Sequence, residues 1–228
     1  MIKGTDLAYC NINVRYDVMK LSGVRFAIIK LGQGMLPKDN MFETHRIGCE
    51  SVEVPWDPYW FCDYRYSAIV NVAQLILKAN GNYGNRHVCQ DLEFRDVWGP
   101  RPTGRNMLNF CLDFFSSLET NTGIVGTLYT NRDVLNQMWA ASNLDEKHEL
   151  ARHDFWFATD TPSPSPTHLP MLINQWDLDA VVSWSTGSVD LDDFVGTETE
   201  FQAWAKGSPP PLTVNERLDR LEKAVFGE

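Results

Sequence analysis

Val24-Arg25-Phe26-Ala27-Ile28-Ile29-Lys30-Leu31 is an almost unbroken apolar run. Its β-branched and aromatic side chains show no helical period, which predicts a strand covered on both faces, as in a parallel sheet. Gly23, just before it, suits the C′ position of a short helix over Val14–Leu21. Upstream, Ile2–Leu7 reads as a first strand. Downstream, Asp39 can cap a helix running toward Ile47, and Val52–Val54 is the next strand candidate.

The same alternation continues to the C-terminal side. Tyr64–Ala79 carries Ala68, Val72, Leu75, Ile76 and Ala79 on one helical face, and Gly81 stops it. A strand over His87–Glu93, a helix over Gly104–Leu118 and a strand over Ile124–Tyr129 follow. Asn131 can cap a helix through Met138. Phe155–Ala158 and Leu172–Trp176 read as later strands on either side of the Pro/Ser loop Thr161–Pro170. This βαβα rhythm predicts a parallel sheet, either a barrel or a doubly wound sheet. Gly32-Gln33-Gly34 lacks the third glycine of a dinucleotide fingerprint and reads as a turn.

The chain has 228 residues, 43% of them hydrophobic, enough for one large globular core. Its net charge of −10 speaks against nucleic acid and anionic lipid as partners. No apolar run reaches the roughly 18–20 residues that span a bilayer. The first residues lack the basic and apolar regions of a signal peptide, which predicts cytoplasmic synthesis. Five dispersed cysteines (Cys10, Cys49, Cys62, Cys89, Cys111) read as reduced, mostly buried thiols. His148 and His153 are not spaced as helical ligands, so neither a metal nor another cofactor is expected.

The C-terminal part divides from the rest. The globular unit is expected to span 1–206, with 207–212 as a stiff proline-rich spacer. In 213–228, Thr213 and Glu216 form a capping box, and Val214, Leu218, Leu221 and Val225 recur at heptad spacing. This predicts a short amphipathic helix that joins copies of the chain, docks on a larger assembly, or packs back on the globular unit.

The densest chemistry lies in Cys89-Gln90-Asp91-Leu92-Glu93-Phe94. On a strand, Asp91 and Glu93 share a face while Leu92 turns the other way. Two neighbouring carboxylates resist joint ionisation, which raises one pKa into the range of a general acid. At the C-terminal mouth of a parallel barrel such a pair stands where catalysis occurs. Acids that are simply solvated, or paired with Arg95 or Arg101, are the structural alternative.

From Lys3 to Phe194 the chain resembles glycoside hydrolase family 25, the Chalaropsis-type lysozymes. Gly4-Thr5-Asp6-Leu7 looks like that family's first strand and Gly23–Lys30 its second. Asp91-Leu92-Glu93 matches its D-x-E strand. Gly126–Thr130, Phe155–Ala158, Asn174-Gln175-Trp176 and Val189–Phe194 are similar to its later signatures. Gln33 stands where the family often has an acid, and Val54–Trp60 lacks the usual tyrosine-centred pattern. There Trp56, Tyr59 and Trp60 are read as a different stacking platform, with a cap on the barrel as the alternative.

The resemblance implies a single flattened, irregular TIM-like β/α barrel followed by the short C-terminal helix. It implies hydrolysis of the β-1,4 bond between N-acetylmuramic acid and N-acetylglucosamine in bacterial peptidoglycan, after lysis or from a phage particle. By position, Glu93 is the general acid, Asp91 supports the substrate or a water, and Asp6 and Asp190 complete the acidic floor. Lys30, Trp56, Tyr129, Trp156, Gln175 and Trp176 are the substrate-binding candidates. A wall-binding module without catalysis, or an endo-glycosidase on another N-acetylated polymer such as chitin, are the alternatives.

Overall fold

The computed structural model describes residues 1–159 and 172–207. The loop Thr161–Pro170, the spacer beyond Gly207 and the helix expected over 213–228 lie outside the described residues. Eight strands close into a barrel in sequence order. They are β1 (Ile2–Leu7), β2 (Val24–Gln33), β3 (Trp56–Phe61), β4 (Cys89–Asp91), β5 (Thr127–Thr130), β6 (Asp154–Ala158), β7 (Ile173–Val181) and β8 (Ser188–Phe194). The barrel reading therefore holds, and the doubly wound alternative does not. β1 to β7 pair in parallel, but β8 runs antiparallel to both β7 and β1.

Helices α1 (Tyr16–Leu21), α2 (Phe42–Ser51), α3 (Ala68–Ala79), α4 (Gly104–Thr122), α5 (Arg132–Ala141) and α6 (Leu144–Leu150) cover the outside, and α7 (Glu198–Trp204) follows β8. Their starts are chemically marked. Ser67, Thr103 and Asn131 each accept a backbone N–H of the first turn. Asn143 with Glu146, and Thr197 with Glu200, form capping boxes. No described helix is long and apolar enough to cross a membrane.

Alternation along each strand separates two buried clusters. One face packs under the helices through Leu7, Ile29, Leu31, Leu92, Leu128 and Phe157. The other fills the barrel with Phe26, Ile28, Tyr59, Cys89, Tyr129, Trp156 and Phe194, and α7 adds Phe201 and Trp204. Trp204 stands edge-on to Phe26 and stacks on His87, with ring centroids 5.4 and 5.1 Å away. The base of the barrel is thus plugged by aromatic rings around His87 and Asp57, and Asp6, Asp91 and Asp190 stand at the opposite mouth.

Two element readings change. Val52–Val54 is not a strand: its residues form the turn after α2, and β3 begins at Trp56. Pro58 within β3 obscures that strand in sequence, because proline cannot donate to a ladder. The expected strand His87–Glu93 shortens to Cys89–Asp91, which leaves Glu93 just beyond the ladder. Cys10 is exposed, the other four cysteines are buried, and all five are free.

Candidate active site

The mouth is built from strand ends. Asp6 lies near the end of β1, Lys30 in the second half of β2, Asp91 at the end of β4 and Tyr129 near the end of β5. Asp190 reaches the same level because β8 runs backwards, so its first residues stand at the mouth beside Asp6. Gln175, paired with Ala158 at the end of β6, completes the ring. Beyond it, β7 and β8 continue as a hairpin that carries Asp177 and Asp179. The loop after β1 ties this hairpin down, since Asn11 Nδ2 donates to the Ser188 carbonyl at 3.2 Å.

The acids form one electrostatic unit. Burial raises Asp6 well above the usual carboxylate range, and Asp190 raises it further, against a hydrogen bond from Gln175 and the charge of Lys30. Burial also raises Asp91 well above that range, with Glu93 adding to it and Lys30 and Arg95 opposing. Glu93 is half-buried, and its pKa is raised by burial against the charge of Arg95, a hydrogen bond with Tyr129 and the charge of Lys30. Asp190 is pushed up to about 6 by burial, then by Asp179, Asp177 and Glu93. A low-dielectric mouth crowded with carboxyls holds protons that a solvated cluster would release.

Hydrogen bonds fix the floor. Gln175 Nε2 donates to Asp6 Oδ2 at 2.7 Å and to Asp190 Oδ2 at 3.3 Å. The Tyr129 hydroxyl donates to Gln175 Oε1 at 2.7 Å. Trp156 packs beneath, its ring centroid 4.4 Å from Tyr129 and 5.9 Å from Tyr59. Its indole Nε1 donates to Asp192 Oδ1 at 2.8 Å. Two cations face the mouth: Lys30 Nζ lies 4.8 Å and the Arg95 guanidinium 4.5 Å from the centre of the Phe61 ring.

The structure brings together Asp6, Lys30, Asp91, Glu93, Tyr129, Gln175 and Asp190, with Trp156 as the layer below. Trp56 lies elsewhere. It opens β3 at the base, donates to Glu50 Oε1 at 3.2 Å and packs edge-on against Phe42. There it borders a cleft of about 960 Å³ lined also by Arg25, Tyr83 and Lys206, remote from the acids. Trp60 turns to the helices and donates to Asn71 Oδ1, so only Tyr59 of the expected stacking platform enters the barrel. Trp176 is half-buried at a register irregularity between Gln175 and Asp177.

Asp192 is a site residue that sequence reasoning missed. Asp192 was findable, since it lies two positions after Asp190 on the same strand face. Tyr59 of the expected platform does enter the barrel, and strand register sets it beside Lys30. Among the described residues no group of three or more His, Cys, Asp or Glu is placed to hold a metal ion.

The sequence model described as Glycosyl hydrolases family 25 matches residues 5–182. No curated protein matches the chain. Among solved structures, a muramidase from Trichobolus zukalii is 21% identical, with a TM-score of 0.74, 91% of this chain covered and 100% of that one. A bacterial lysozyme from Streptomyces coelicolor is 20% identical, with a TM-score of 0.74 and coverages of 91% and 98%. The catalytic domain of endolysin ply40, from bacteriophage P40 of Listeria monocytogenes, is 19% identical, with a TM-score of 0.67 and coverages of 91% and 98%. At these identities the structures establish the shared fold.

Proposed function

The chain belongs to glycosyl hydrolases family 25, and from that membership we propose that it is a lysozyme-type glycoside hydrolase of bacterial peptidoglycan, cleaving the β-1,4 bond between N-acetylmuramic acid and N-acetylglucosamine. The observation that carries this reading is the acid-rich mouth, where Asp91 and Glu93 stand with Asp6 and Asp190. Glu93, at the edge of the buried ring, holds its proton to higher pH than a solvated carboxyl and delivers it to the leaving oxygen. Asp91, deeper and beside it, supports the substrate's acetamido group or an attacking water. Asp190, pushed up only to about 6, is ionised at neutral pH and supplies negative charge that favours the oxocarbenium-like transition state, while Asp6 anchors the floor through Gln175. Lys30, Tyr129 and Gln175 line the sugar groove above Trp156.

Digestion of purified peptidoglycan with borohydride labelling of new reducing ends tests this. New muramic-acid ends are expected, and Glu93→Gln should lower their rate about 10²–10⁴-fold. Wall binding without new ends, or soluble products from chitin alone, would overturn the assignment.

Action on the wall after host lysis, or from a phage particle, accords with the likeness to the ply40 domain. The heptad spacing in 213–228 supports self-association or docking on a larger assembly. Light scattering of the full chain against one ending at Lys206 tests self-association; equal monomer masses at high concentration would refute it.

A further inference from the structure

We propose that Arg95 is a specificity-determining residue, one that binds a carboxylate carried by the glycan substrate. The inference rests on the reading of that substrate as peptidoglycan. The lactyl group of bare muramic acid ends in a carboxylate, and a peptide stem, where attached, carries carboxylates of its own.

Arg95 stands two residues beyond Glu93, in the segment that follows β4. One hydroxyl fixes its main chain from both sides. Tyr64 donates to the Arg95 carbonyl at 3.0 Å and accepts the Arg95 N–H at 3.2 Å. The guanidinium lies over the buried Phe61 ring, 4.5 Å from its centre. Phe61 ends β3 in register with Asp91, so the ring and its cation stand at the level of the acids. Trp98 backs Phe61 edge-on at 5.7 Å.

The charge of Arg95 meets no protein acid directly. Nearby, Arg65 pairs with Asp63 at 2.6 Å and Arg101 reaches Asp133 at 3.9 Å. Among the described residues, by contrast, Arg95 hydrogen-bonds only through its main chain, to Tyr64. Contact with an aromatic face engages the flat side of a guanidinium and leaves its in-plane N–H donors open. Those donors fit the two oxygens of a carboxylate as a fork. The side chain is exposed, so a ligand can reach them. Lys30, 4.8 Å from the centre of the same ring, extends this cationic rim toward β2. Across a mouth otherwise crowded with carboxyls, the rim gives an anionic substituent its place and orients the sugar that bears it.

The test measures Kd for two soluble glycans, stem-bearing strands and strands stripped of their stems by an amidase. Each is used as such and after its carboxyls are converted to neutral methylamides. The proteins are Glu93→Gln, which keeps the ligand intact, and the same chain with Arg95→Gln or Arg95→Lys added. Arg95→Gln should weaken binding of at least one unmasked glycan about tenfold or more. Masking that glycan should cost the Arg95 protein a similar factor and the Arg95→Gln protein nothing. Arg95→Lys keeps the charge without the fork and should recover part of the loss. A loss on stripped strands places the carboxylate on the lactyl group; a loss confined to stem-bearing strands places it on the peptide.

Removing the Arg95 charge also raises the Glu93 pKa, so in chains that retain Glu93 the alkaline limb of kcat/KM should move up. A moved limb with unchanged Kd for both glycans would leave Arg95 as a neighbour of Glu93 alone and overturn the proposal. So would an equal loss on masked and unmasked strands. If the wild type releases no muramic-acid ends, the peptidoglycan-hydrolase reading fails, while the Kd series still judges Arg95 separately.

Discussion

The Trp156 indole and the Asp192 carboxyl form a buried pair inside the barrel, Nε1 to Oδ1 at 2.8 Å, while Asp192 Oδ2 has no partner among the described residues. Burial, then Asp6, raise Asp192 well above the ordinary carboxylate range. A carboxyl whose folded pKa exceeds its unfolded pKa favours folding at low pH and loses that contribution as pH rises through the folded value. Asp192→Asn keeps an oxygen for the indole and cannot ionise. Its melting temperature should match wild type near pH 4 and exceed it at pH 7.5. Asp192→Ala strands the indole N–H and should cost about 1–3 kcal/mol even at pH 4. Thermal melts of the three proteins at both pH values decide it.

The whole protein should share that slope. Asp57, buried near the base, is pushed up to about 6, as is Asp190 at the mouth. Their unfolded values lie near 3.9. Each therefore weakens folding as pH climbs from about 4 through about 6, and neither changes it further above. Denaturant midpoints should be higher at pH 4.5 than at pH 7. The opposite order would show that these carboxyls ionise in the fold without cost.

Gly4 pairs with Phe26 across β1 and β2, and a Cβ on it would lie 2.2 Å from the Phe26 ring. Phe26 is itself held by Phe201 and Trp204, at 6.1 and 5.4 Å, so it has no room to retreat. Gly4→Ala should cost about 3 kcal/mol or more through overpacking. For a chain of this length that corresponds to a fall of roughly 6–12 °C in Tm. A smaller fall would mean that the base of the barrel repacks.

Trp204 plugs the barrel from below, but its indole N–H has no hydrogen-bond partner among the described residues. Its contribution is therefore volume and ring contact. Trp204→Ala should destabilise by about 3–5 kcal/mol, while Trp204→Phe should cost much less. Because the residue lies at the base, kcat of the folded fraction should stay unchanged in both. Activity normalised to folded protein, measured beside calorimetry, checks the separation.

What the sequence revealed depended on how local each signal is. Val24–Leu31 announced a strand because an apolar run needs only its own residues to be read, and the helix cap at Asn131 is similarly short-range. The nearness of Asp91 and Glu93 was read from alternation on a strand expected over His87–Glu93, although the ladder stops at Asp91. Trp56 was misplaced because its strand begins two residues after the expected one ends, which moves it from mouth to base. The link from Gln175 to Asp6 joins residues 169 positions apart. Nothing in either neighbourhood predicts it; closure of the barrel by an antiparallel β8 does.

That reversed last strand also fixes the polarity of the protein as an object to be attached to something. β1 rises from the base with its first residue there, and β8 descends to the base before handing the chain to α7. Entry and exit both lie on the face turned away from the acids. A cargo joined at Met1 or following Gly207 would hang beneath the barrel and leave the sugar-facing side unobstructed, so the domain can be mounted on a surface, a second protein or a sensor without blinding it.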